Sequence, residues 1–410
     1  MMETEEARRI LHVFLRQFPP TGFGVEREMA IGDFISRLPV ERRAALTRLL
    51  DAFLERMLTL QASDIDVGGH GSSNQIWYRV FGIKKPDTTL GTFAAEEVSA
   101  LIQNILTDNQ RIYLYEKKSL DFSYSIRGEG DHHRFRANAY FDLDHLALNM
   151  RAIDAFVRPY KDLELHPNVS RVLNLAHTKE GLILVTGITG SGKNSTLDTI
   201  VDANNHAIDA HVVIIGSPVE YVHKSDRCII RHREVGKDVL SFWDGVVQCL
   251  RQDPDIIVIG EMRDPETIMT ALEITDTGHK VFSTLHTASA VESLDRITAE
   301  VPSLEQNRVR NRLADVLRCV ISQKLVPSLD GKRVLAKEVL LVTPSVKAAI
   351  RNGNTQEIYQ MISESGRQGM ITMEQDLMRL YLAKKISLDT AMDFSNNKRR
   401  LEQLLAVKAD

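Results

Sequence analysis

Cysteine is scarce in this chain, and its few cysteines are not spaced for a metal site or a disulfide framework. Cys228, Cys249 and Cys319 are isolated from one another, and their number is odd. A zinc site or a disulfide-rich secreted fold needs closely spaced cysteines, such as a Cys-x-x-Cys pair. We therefore expect three small buried thiols in a cytoplasmic protein.

Long apolar runs and an excess of one charge are missing as well. No apolar run approaches the roughly 18 residues of a membrane-spanning helix, and residues 1–9 lack the apolar core of a signal peptide. The 51 basic and 55 acidic residues give a net charge of −4, so there is no overall basic field to attract nucleic acid. We expect neither membrane insertion nor nucleic acid binding.

The length and composition are those of a globular protein with several domains. Hydrophobic residues make up 43% of the chain and charged residues 26%, and 410 residues predict two or three domains. Pro19-Pro20 is expected to end the first helix, and Gly128–Asp131 to form a turn. The apolar patterns predict a helical extension at residues 1–60, an α+β domain at 61–155, a linker without regular structure at 156–168, an α/β core at 169–345 and a helical region at 346–410.

The α/β core is predicted from apolar strands that alternate with helical stretches. The strands are Leu182–Thr186, Val212–Ile215, Ile256–Ile259 and Val281–Thr284. This alternation is typical of a mostly parallel sheet covered by helices, which binds ligands at the carboxyl ends of its strands.

A glycine-rich stretch directly follows the first of these strands. A loop of this kind that opens a helix can point backbone N–H groups at a phosphate chain, while its lysine reaches the β- and γ-phosphates. We therefore expect this stretch to bind ATP through Gly187, Ile188, Thr189, Gly190, Ser191, Gly192, Lys193, Asn194 and Ser195.

Asn194 is unusual at its position in this loop. The phosphate-loop pattern has Ser or Thr after the lysine, because the hydroxyl holds Mg²⁺. The amide oxygen of Asn194 can also ligate Mg²⁺, although the side chain is bulkier and neutral. We expect Asn194 and Glu261 to be the metal ligands, and the sequence leaves the rate of turnover open.

Three further polar residues follow predicted strands of the same sheet. Glu261 ends the strand of DIIVIGE, and an acid there can orient the Mg²⁺ shell or polarise the attacking water. Glu220 is presented after Pro218, and His286 stands where a sensor of the γ-phosphate would lie. Each could instead be a structural acid or histidine, but beside the phosphate loop we predict that all three are catalytic.

Two arginines occupy alternate positions of the predicted strand HRFRANAY, outside the α/β core. Arg134 and Arg136 would point to one face of that strand, and Arg151 follows 15 residues after Arg136. Surface arginines are normally solvated, but two on one face could clamp the nucleotide of a neighbouring subunit.

Together these motifs resemble the type IV pilus and type II secretion family of hexameric ATPases, with the PilT-like pilus retraction ATPases as the most similar branch. The resemblance covers roughly residues 60–400. It rests on LILVTGITGSGK, SPVEYVH, REVGKDVLSFWDGVVQCLRQDPDIIVIGEMRDPETI, TGHKVFSTLHT and AIRNGNT, which occur in that order. The long string from Arg233 is the most specific of these.

The resemblance implies a fold and a hexameric motor. The fold is α/β, with an N-terminal PAS-like α+β domain linked to a RecA-like P-loop ATPase domain that carries a helical C-terminal extension. Six copies would form a ring that binds ATP between the domains, with Mg²⁺ as cofactor. The ring would sit in the cytoplasm at the inner-membrane base of the pilus machine, where it would act on a pilus platform protein to retract the pilus in twitching motility.

The resemblance also carries roles over to single residues. Glu220 corresponds to a candidate general base, Glu261 to the Walker B acid, and His279 and His286 to the histidine box. The residues that correspond to nucleotide or interface arginines are Arg134, Arg136, Arg151 and Arg296.

Four departures from the family pattern keep alternatives open. Asn194 replaces the hydroxyl residue, Gly216-Ser217 replaces an acidic pair, Asp66 replaces a histidine, and the AIRN motif runs straight into Gly353. The chain could therefore be a catalytically weak paralog that binds nucleotide and modulates an active pilus ATPase, or the motor of a related secretion or conjugation system. The absence of a four-cysteine insertion speaks against the type II secretion and pilus-extension branches.

Overall fold

The protein divides into two compact units, Met1–Ala155 and Phe156–Asp410. The structure is a computed structural model that describes residues 2–17, 24–127, 132–153, 156–262 and 264–407. The helix end predicted at Pro19-Pro20, the turn predicted at Gly128–Asp131 and the predicted domain end at 155 lie outside the described residues.

The first unit is an antiparallel sheet with helices against one face. Its described residues form a six-stranded sheet in the order β3-β2-β1-β6-β5-β4. The strands are β1 (Ala62–Gly68), β2 (Trp77–Val80), β3 (Ile83–Pro86), β4 (Ser119–Arg127), β5 (His132–Asp142) and β6 (His145–Ile153). The helices are α1 (Met2–Gln17), α2 (Gly24–Arg37), α3 (Val40–Thr59), α4 (Ala95–Asn104) and α5 (Asp108–Lys117), with short 3-10 turns at His70–Ser72 and Thr88–Leu90.

The strands of this sheet alternate between an apolar and a polar face. In β1, Ile65 and Val67 are buried in the core, whereas Asp64 and Asp66 point to the other face, as the period of a strand requires. The helices that precede β1 contribute to the same core, for example through Leu11, Ile31 and Phe53. The described helices α1, α2 and α3 therefore pack with the sheet rather than stand apart from it.

The second unit contains a mostly parallel sheet. Its described residues form a seven-stranded sheet in the order β13-β12-β7-β11-β10-β8-β9, in which β13 alone runs antiparallel to its neighbour. The strands are β7 (Gly181–Thr186), β8 (Ala210–Gly216), β9 (Cys228–Glu234), β10 (Ile256–Ile259), β11 (Lys280–Leu285), β12 (Leu317–Pro327) and β13 (Arg333–Leu341).

Helices cover this sheet and follow it. The helices are α6 (Pro167–Leu173), α7 (Lys193–Ala207), α8 (Phe242–Cys249), α9 (Pro265–Asp276), α10 (Ala290–Ala299), α11 (Gln306–Val316), α12 (Pro344–Asn352), α13 (Thr355–Glu364), α14 (Met373–Leu382), α15 (Leu388–Phe394) and α16 (Lys398–Val407), with 3-10 turns at Tyr160–Leu163 and Gly366–Gln368. Every residue of β7, β10 and β11 is buried, because apolar clusters lie on both faces of the sheet. The carboxyl ends of these parallel strands therefore meet at one edge.

The segment at 156–168 is more ordered than the sequence predicts. Residues 156–159 are irregular, but a 3-10 turn follows at Tyr160–Leu163, and Leu163 is buried in the core of the second unit. Glu164 accepts hydrogen bonds from Arg379 and Lys385, each at 2.7 Å. The prediction of a linker without regular structure is therefore wrong at Tyr160–Leu163 and at the start of α6, whereas residues 164–166 are irregular as predicted.

The prediction of three buried thiols agrees with the structure, in which Cys228, Cys249 and Cys319 are free and buried.

No helix among the described residues combines the length and the apolarity that crossing a membrane requires.

Candidate functional site

The glycine-rich loop lies between β7 and α7, at the carboxyl edge of the parallel sheet. Gly187 has φ of 150° and Gly192 has φ of 84°, values that favour glycine. A side chain at Gly187 would also collide with the carbonyl oxygen of Gln323 and with Ser191. The loop can therefore take this path only with glycine at Gly187, and the path leads directly into the amino end of α7.

Strand β12 supports the loop from its neighbouring position in the sheet. The side-chain Nε2 of Gln323 donates to the carbonyl oxygen of Ser191 at 2.8 Å. One residue earlier, the Ser322 hydroxyl is 2.7 Å from that of Thr186, the last residue of β7. Sequence reasoning missed Gln323 and Ser322, although two polar residues within the apolar run of β12 were a usable signal.

Lys193 is buried at the mouth of the loop. Its Nζ donates to the carbonyl oxygens of Gly187 at 2.9 Å and Ile188 at 3.2 Å. Burial lowers the pKa of this amine, whereas the carboxylates of Glu261 and Glu220 act in the opposite direction. The two predicted acids are thus close enough to interact electrostatically with the predicted phosphate-binding lysine.

Glu261 and His286 follow neighbouring parallel strands, β10 and β11. Glu261 is buried, with 9% of the residue exposed. Its carboxylate oxygen Oε2 lies 3.7 Å from Nε2 of His286. The Thr284 hydroxyl donates to the carbonyl oxygen of Gly260 at 2.6 Å, which ties the two strand ends together. The structure therefore brings Glu261 and His286 to the edge that carries the phosphate loop.

Two oxygen donors at this edge suit a hard cation. Asn194 is the second residue of α7 and is partly exposed, and Glu261 presents a carboxylate. Amide and carboxylate oxygens are the donor types that Mg²⁺ takes in proteins. Among the described residues, no group of three or more His, Cys, Asp or Glu side chains is arranged to hold a metal by itself, so nucleotide oxygens would have to complete such a site.

Glu220 lies in a loop after β8. The loop begins at Gly216, where an added Cβ would come within 3.0 Å of the Cα of Val219. The backbone N–H of Val219 donates to Glu234 Oε2 at 3.3 Å, and Glu220 itself is partly exposed. A side chain larger than that of glycine at position 216 would therefore crowd this turn.

His279 is not brought to the phosphate loop of its own chain. It precedes β11, and its Nδ1 lies 3.1 Å from both the Ile274 carbonyl oxygen and the Thr277 hydroxyl. His286 follows the same strand at its other end, about 23 Å away at the rise of a β-strand. A role for His279 at the nucleotide stays a prediction.

Arg296 donates a hydrogen bond to the backbone of His286 in the same chain. Its Nη1 donates to the backbone carbonyl oxygen of His286 at 3.0 Å, and its Nε lies 3.6 Å from Glu300. These contacts hold the segment that carries His286, and direct nucleotide contact by Arg296 stays a prediction.

The predicted N-terminal arginines share the polar face of the first unit's sheet. Arg136 and Arg151 face each other across β5 and β6, and Arg151 faces Asp64 across β6 and β1. Arg151 Nε donates to Asp64 Oδ1 at 2.8 Å, and Arg134 lies two residues before Arg136 on the same strand. The phosphate loop belongs to the other unit, so nucleotide binding by these arginines stays a prediction.

A family comparison identifies the chain. The model of the type II/IV secretion system protein family matches residues 40–333. The chain belongs to this family. This confirms the resemblance found in the sequence.

Individual relatives within the family include pilus motors. The chain is 38% identical over 298 residues to the type IV pilus retraction ATPase PilT of Pseudomonas aeruginosa, covering 73% of this chain and 85% of the relative. It is 36% identical over 309 residues to a twitching motility protein of Neisseria gonorrhoeae, covering 75% of this chain and 81% of the relative.

Solved structures of the family have a similar fold. The pilus retraction motor PilT with bound ADP superposes with a TM-score of 0.75 at 36% identity, covering 86% of this chain and 98% of PilT. The Legionella pneumophila ATPase DotB gives a TM-score of 0.73 at 27% identity, covering 89% and 96% of the two chains. The mixed α/β architecture is therefore that of the PilT ATPases, and the PAS-like character of the first unit stays a prediction.

Proposed function

We propose that this protein is a Mg²⁺-dependent, ATP-hydrolysing motor that works as a hexameric ring and drives retraction of a type IV pilus. One observation carries the proposal. Lys193 of the phosphate loop interacts electrostatically with both Glu261 and Glu220, which come from different strand ends. A lysine and two acids at the mouth of such a loop are what phosphoryl transfer to water requires.

We assign each residue of this group a role in nucleotide binding or hydrolysis. The backbone amides of residues 187–193 would bind the phosphate chain, and Lys193 would leave the carbonyl oxygens of Gly187 and Ile188 to contact the β- and γ-phosphates. Asn194 and Glu261 would hold Mg²⁺, which neutralises phosphate charge when bound.

The remaining acid and base residues would orient the attacking water and contact the terminal phosphate. Glu220 would orient the attacking water and accept its proton on a carboxylate oxygen. His286, beside Glu261, would contact the γ-phosphate. The arginines Arg134, Arg136 and Arg151 would complete the site of a neighbouring copy.

The proposed partners follow from this assignment. They are further copies of the chain in a homohexamer, an inner-membrane pilus platform protein, and in some assemblies a paralogous pilus ATPase. The proposed location is the cytoplasmic base of the pilus machine. The names of the PilT and twitching motility relatives support this assignment.

The first test is Mg²⁺-dependent ATP hydrolysis by the purified protein and by Lys193→Ala. We expect the substitution to abolish turnover, because the lysine is the fixed positive charge in the loop. Lys179→Ala is the matched control, since Lys179 is exposed just before the amino end of β7. Near-normal turnover in Lys193→Ala would contradict the site assignment.

A second candidate function is a nucleotide-binding paralog with little turnover. Asn194 and the Gly216-Ser217 turn favour it, because both depart from the family pattern at positions proposed to serve the metal and the water. In that case the wild-type protein would bind nucleotide with background hydrolysis, and Asn194→Ser would raise the rate. If Asn194→Ser leaves an already substantial rate unchanged, the paralog hypothesis loses its main support.

A motor for a related secretion system is a third candidate, since the family covers secretion as well as pili. Deletion of the gene distinguishes the two. Loss of twitching with intact secretion supports the pilus, and the reverse result supports secretion.

A further inference from the structure

The loop that carries Glu220 is attached at both ends to strand β9. At its start, the N–H of Val219 donates to Glu234 Oε2 at 3.3 Å. At its end, the N–H of His223 donates to Nε2 of His232 at 3.1 Å. His232 and Glu234 are two residues apart on β9, so both attachments come from one face of that strand.

The His223 side chain then connects this loop to another element. Its ring is completely buried, and its Nε2 lies 3.2 Å from Oδ1 of Asp198. The ring stacks on His232 with centroids 6.1 Å apart and meets Tyr221 edge to face at 4.6 Å. Stacking and hydrogen bonding together leave this imidazole a single orientation.

Asp198 belongs to α7, five residues after Lys193. The Asp198–His223 contact therefore joins the helix that begins with the phosphate-binding lysine to the loop that carries Glu220. Lys193 and Glu220 already interact through their charges. The Asp198–His223 pair therefore connects α7, which carries Lys193, to the loop that carries Glu220.

Among the described residues, the pair leaves one buried polar atom unsatisfied. Nδ1 of His223 is buried without a hydrogen-bond partner in the described part of the chain, and an unsatisfied buried polar atom is unfavourable. Burial also raises the pKa of Asp198, while His223 acts to lower it. Replacement of a buried charged pair by apolar side chains of similar size is often neutral or stabilising, so such a pair is weak evidence for a purely stabilising role.

We propose that Asp198 and His223 are positioning residues that hold Glu220 in place relative to Lys193 for attack on the nucleotide. This inference rests on the proposed ATPase function. Because Gly216-Ser217 supplies no carboxylate, Glu220 is the acid that this loop offers, and its placement depends on how the loop is held. Misplacement of a reacting group by about 1 Å can cost up to about 100-fold in rate.

The test compares His223→Ala and Asp198→Ala with two matched variants of the full-length protein. Asp198→Asn keeps an oxygen that accepts the Nε2–H of His223. His206→Ala removes an exposed histidine of the same helix that pairs with Asp202 at 3.6 Å. ATP turnover, KM for ATP and the melting temperature are measured for each variant.

We expect kcat to fall about 10- to 100-fold in both alanine variants, with KM changed less than about twofold. Asp198→Asn should recover most of the rate, and His206→Ala should match the wild type. The inference is overturned if kcat is unchanged in the alanine variants, if Asp198→Asn is as slow as Asp198→Ala, or if KM changes as much as kcat.

A second measurement separates this inference from the proposed function. If the wild type binds nucleotide but does not hydrolyse it, the ATPase proposal fails, and hydrogen exchange of residues 217–223 with ADP present decides the positioning role. We expect faster exchange of this segment in the two alanine variants and wild-type exchange in Asp198→Asn and His206→Ala. Equal exchange in all proteins would overturn the inference.

Discussion

At the scale of single residues, Lys280 is a buried amine whose hydrogen bonds go to backbone carbonyl oxygens. Its Nζ donates to the carbonyl oxygens of Val172 at 2.6 Å and Thr178 at 2.9 Å, and the residue is fully buried at the start of β11. Burial lowers the pKa of Lys280 to about 7. The lysine therefore links α6 and the segment after it to the amino edge of the sheet.

This pKa predicts a pH dependence of stability. Between pH 7 and about 10.5 the unfolded chain binds one more proton at this site than the folded chain, so the free energy of unfolding rises with pH by about 1.4 kcal/mol per unit. Below pH 7 both states are protonated and the slope vanishes. Lys280→Met should remove the rise, which urea unfolding at pH 7 and pH 9 measures. The same slope in both proteins would show that the buried amine keeps an ordinary pKa.

At the scale of elements, β12 connects the phosphate loop to the C-terminal helices. Gln323 donates to the Ser191 carbonyl oxygen, and the next residue, Lys324, donates to the Phe394 carbonyl oxygen and to Asn396 Oδ1, each at 2.7 Å. Asn396 in turn donates to the Ala288 carbonyl oxygen at 3.3 Å, two residues after His286. Strand β12 therefore contacts the phosphate loop, and the turn between α15 and α16 contacts both β12 and the segment that follows His286.

Gln323→Met should weaken nucleotide binding. The substitution keeps the volume of the side chain but removes the donor to Ser191, so the loop carbonyl is left without this partner. We expect the Kd for ADP to rise about tenfold, measured by calorimetry. Gln368→Met, at an exposed glutamine of the same unit, should leave the Kd unchanged. An unchanged Kd in Gln323→Met would mean that other contacts fix the loop.

The elements also show what sequence alone can predict. Strands β7 and β10 are buried on both faces and appear as nearly continuous apolar runs, and the loop after β7 follows a local pattern. Strand β11 is also fully buried, although its sequence includes Lys280, Ser283 and Thr284. The contact of Gln323 with Ser191 joins residues 132 positions apart, and that of Glu164 with Arg379 joins residues 215 apart. Such contacts depend on the folded chain, which is why the support of the loop and the order of residues 160–163 were missed.

At the scale of the whole molecule, the first unit depends on its N-terminal helices. Leu50, Phe53, Leu54 and Met57 of α3 are at most 2% exposed and pack with the apolar face of the sheet. A sheet stripped of this layer would expose its core to water. The helices therefore complete the unit that contains the predicted arginines.

Removal of residues 1–60 should unfold the first unit. We expect a chain that starts at residue 61 to lose one transition in calorimetry, while the transition of the second unit stays within a few degrees of its full-length value. Phe53→Ala provides a milder version of the same test, with an expected cost of about 3–5 kcal/mol in the first unit. A first-unit transition that survives the truncation would contradict this dependence.

The three buried cysteines should react slowly with thiol reagents in the folded chain. Burial raises the pKa of both Cys249 and Cys319 to about 12, so little thiolate forms at neutral pH. New cysteines at exposed lysines, such as Lys85→Cys in the first unit and Lys179→Cys in the second, would accept a pair of dyes without background labelling. Energy transfer between the two dyes would then test, in single molecules, whether the distance between them changes when nucleotide is added.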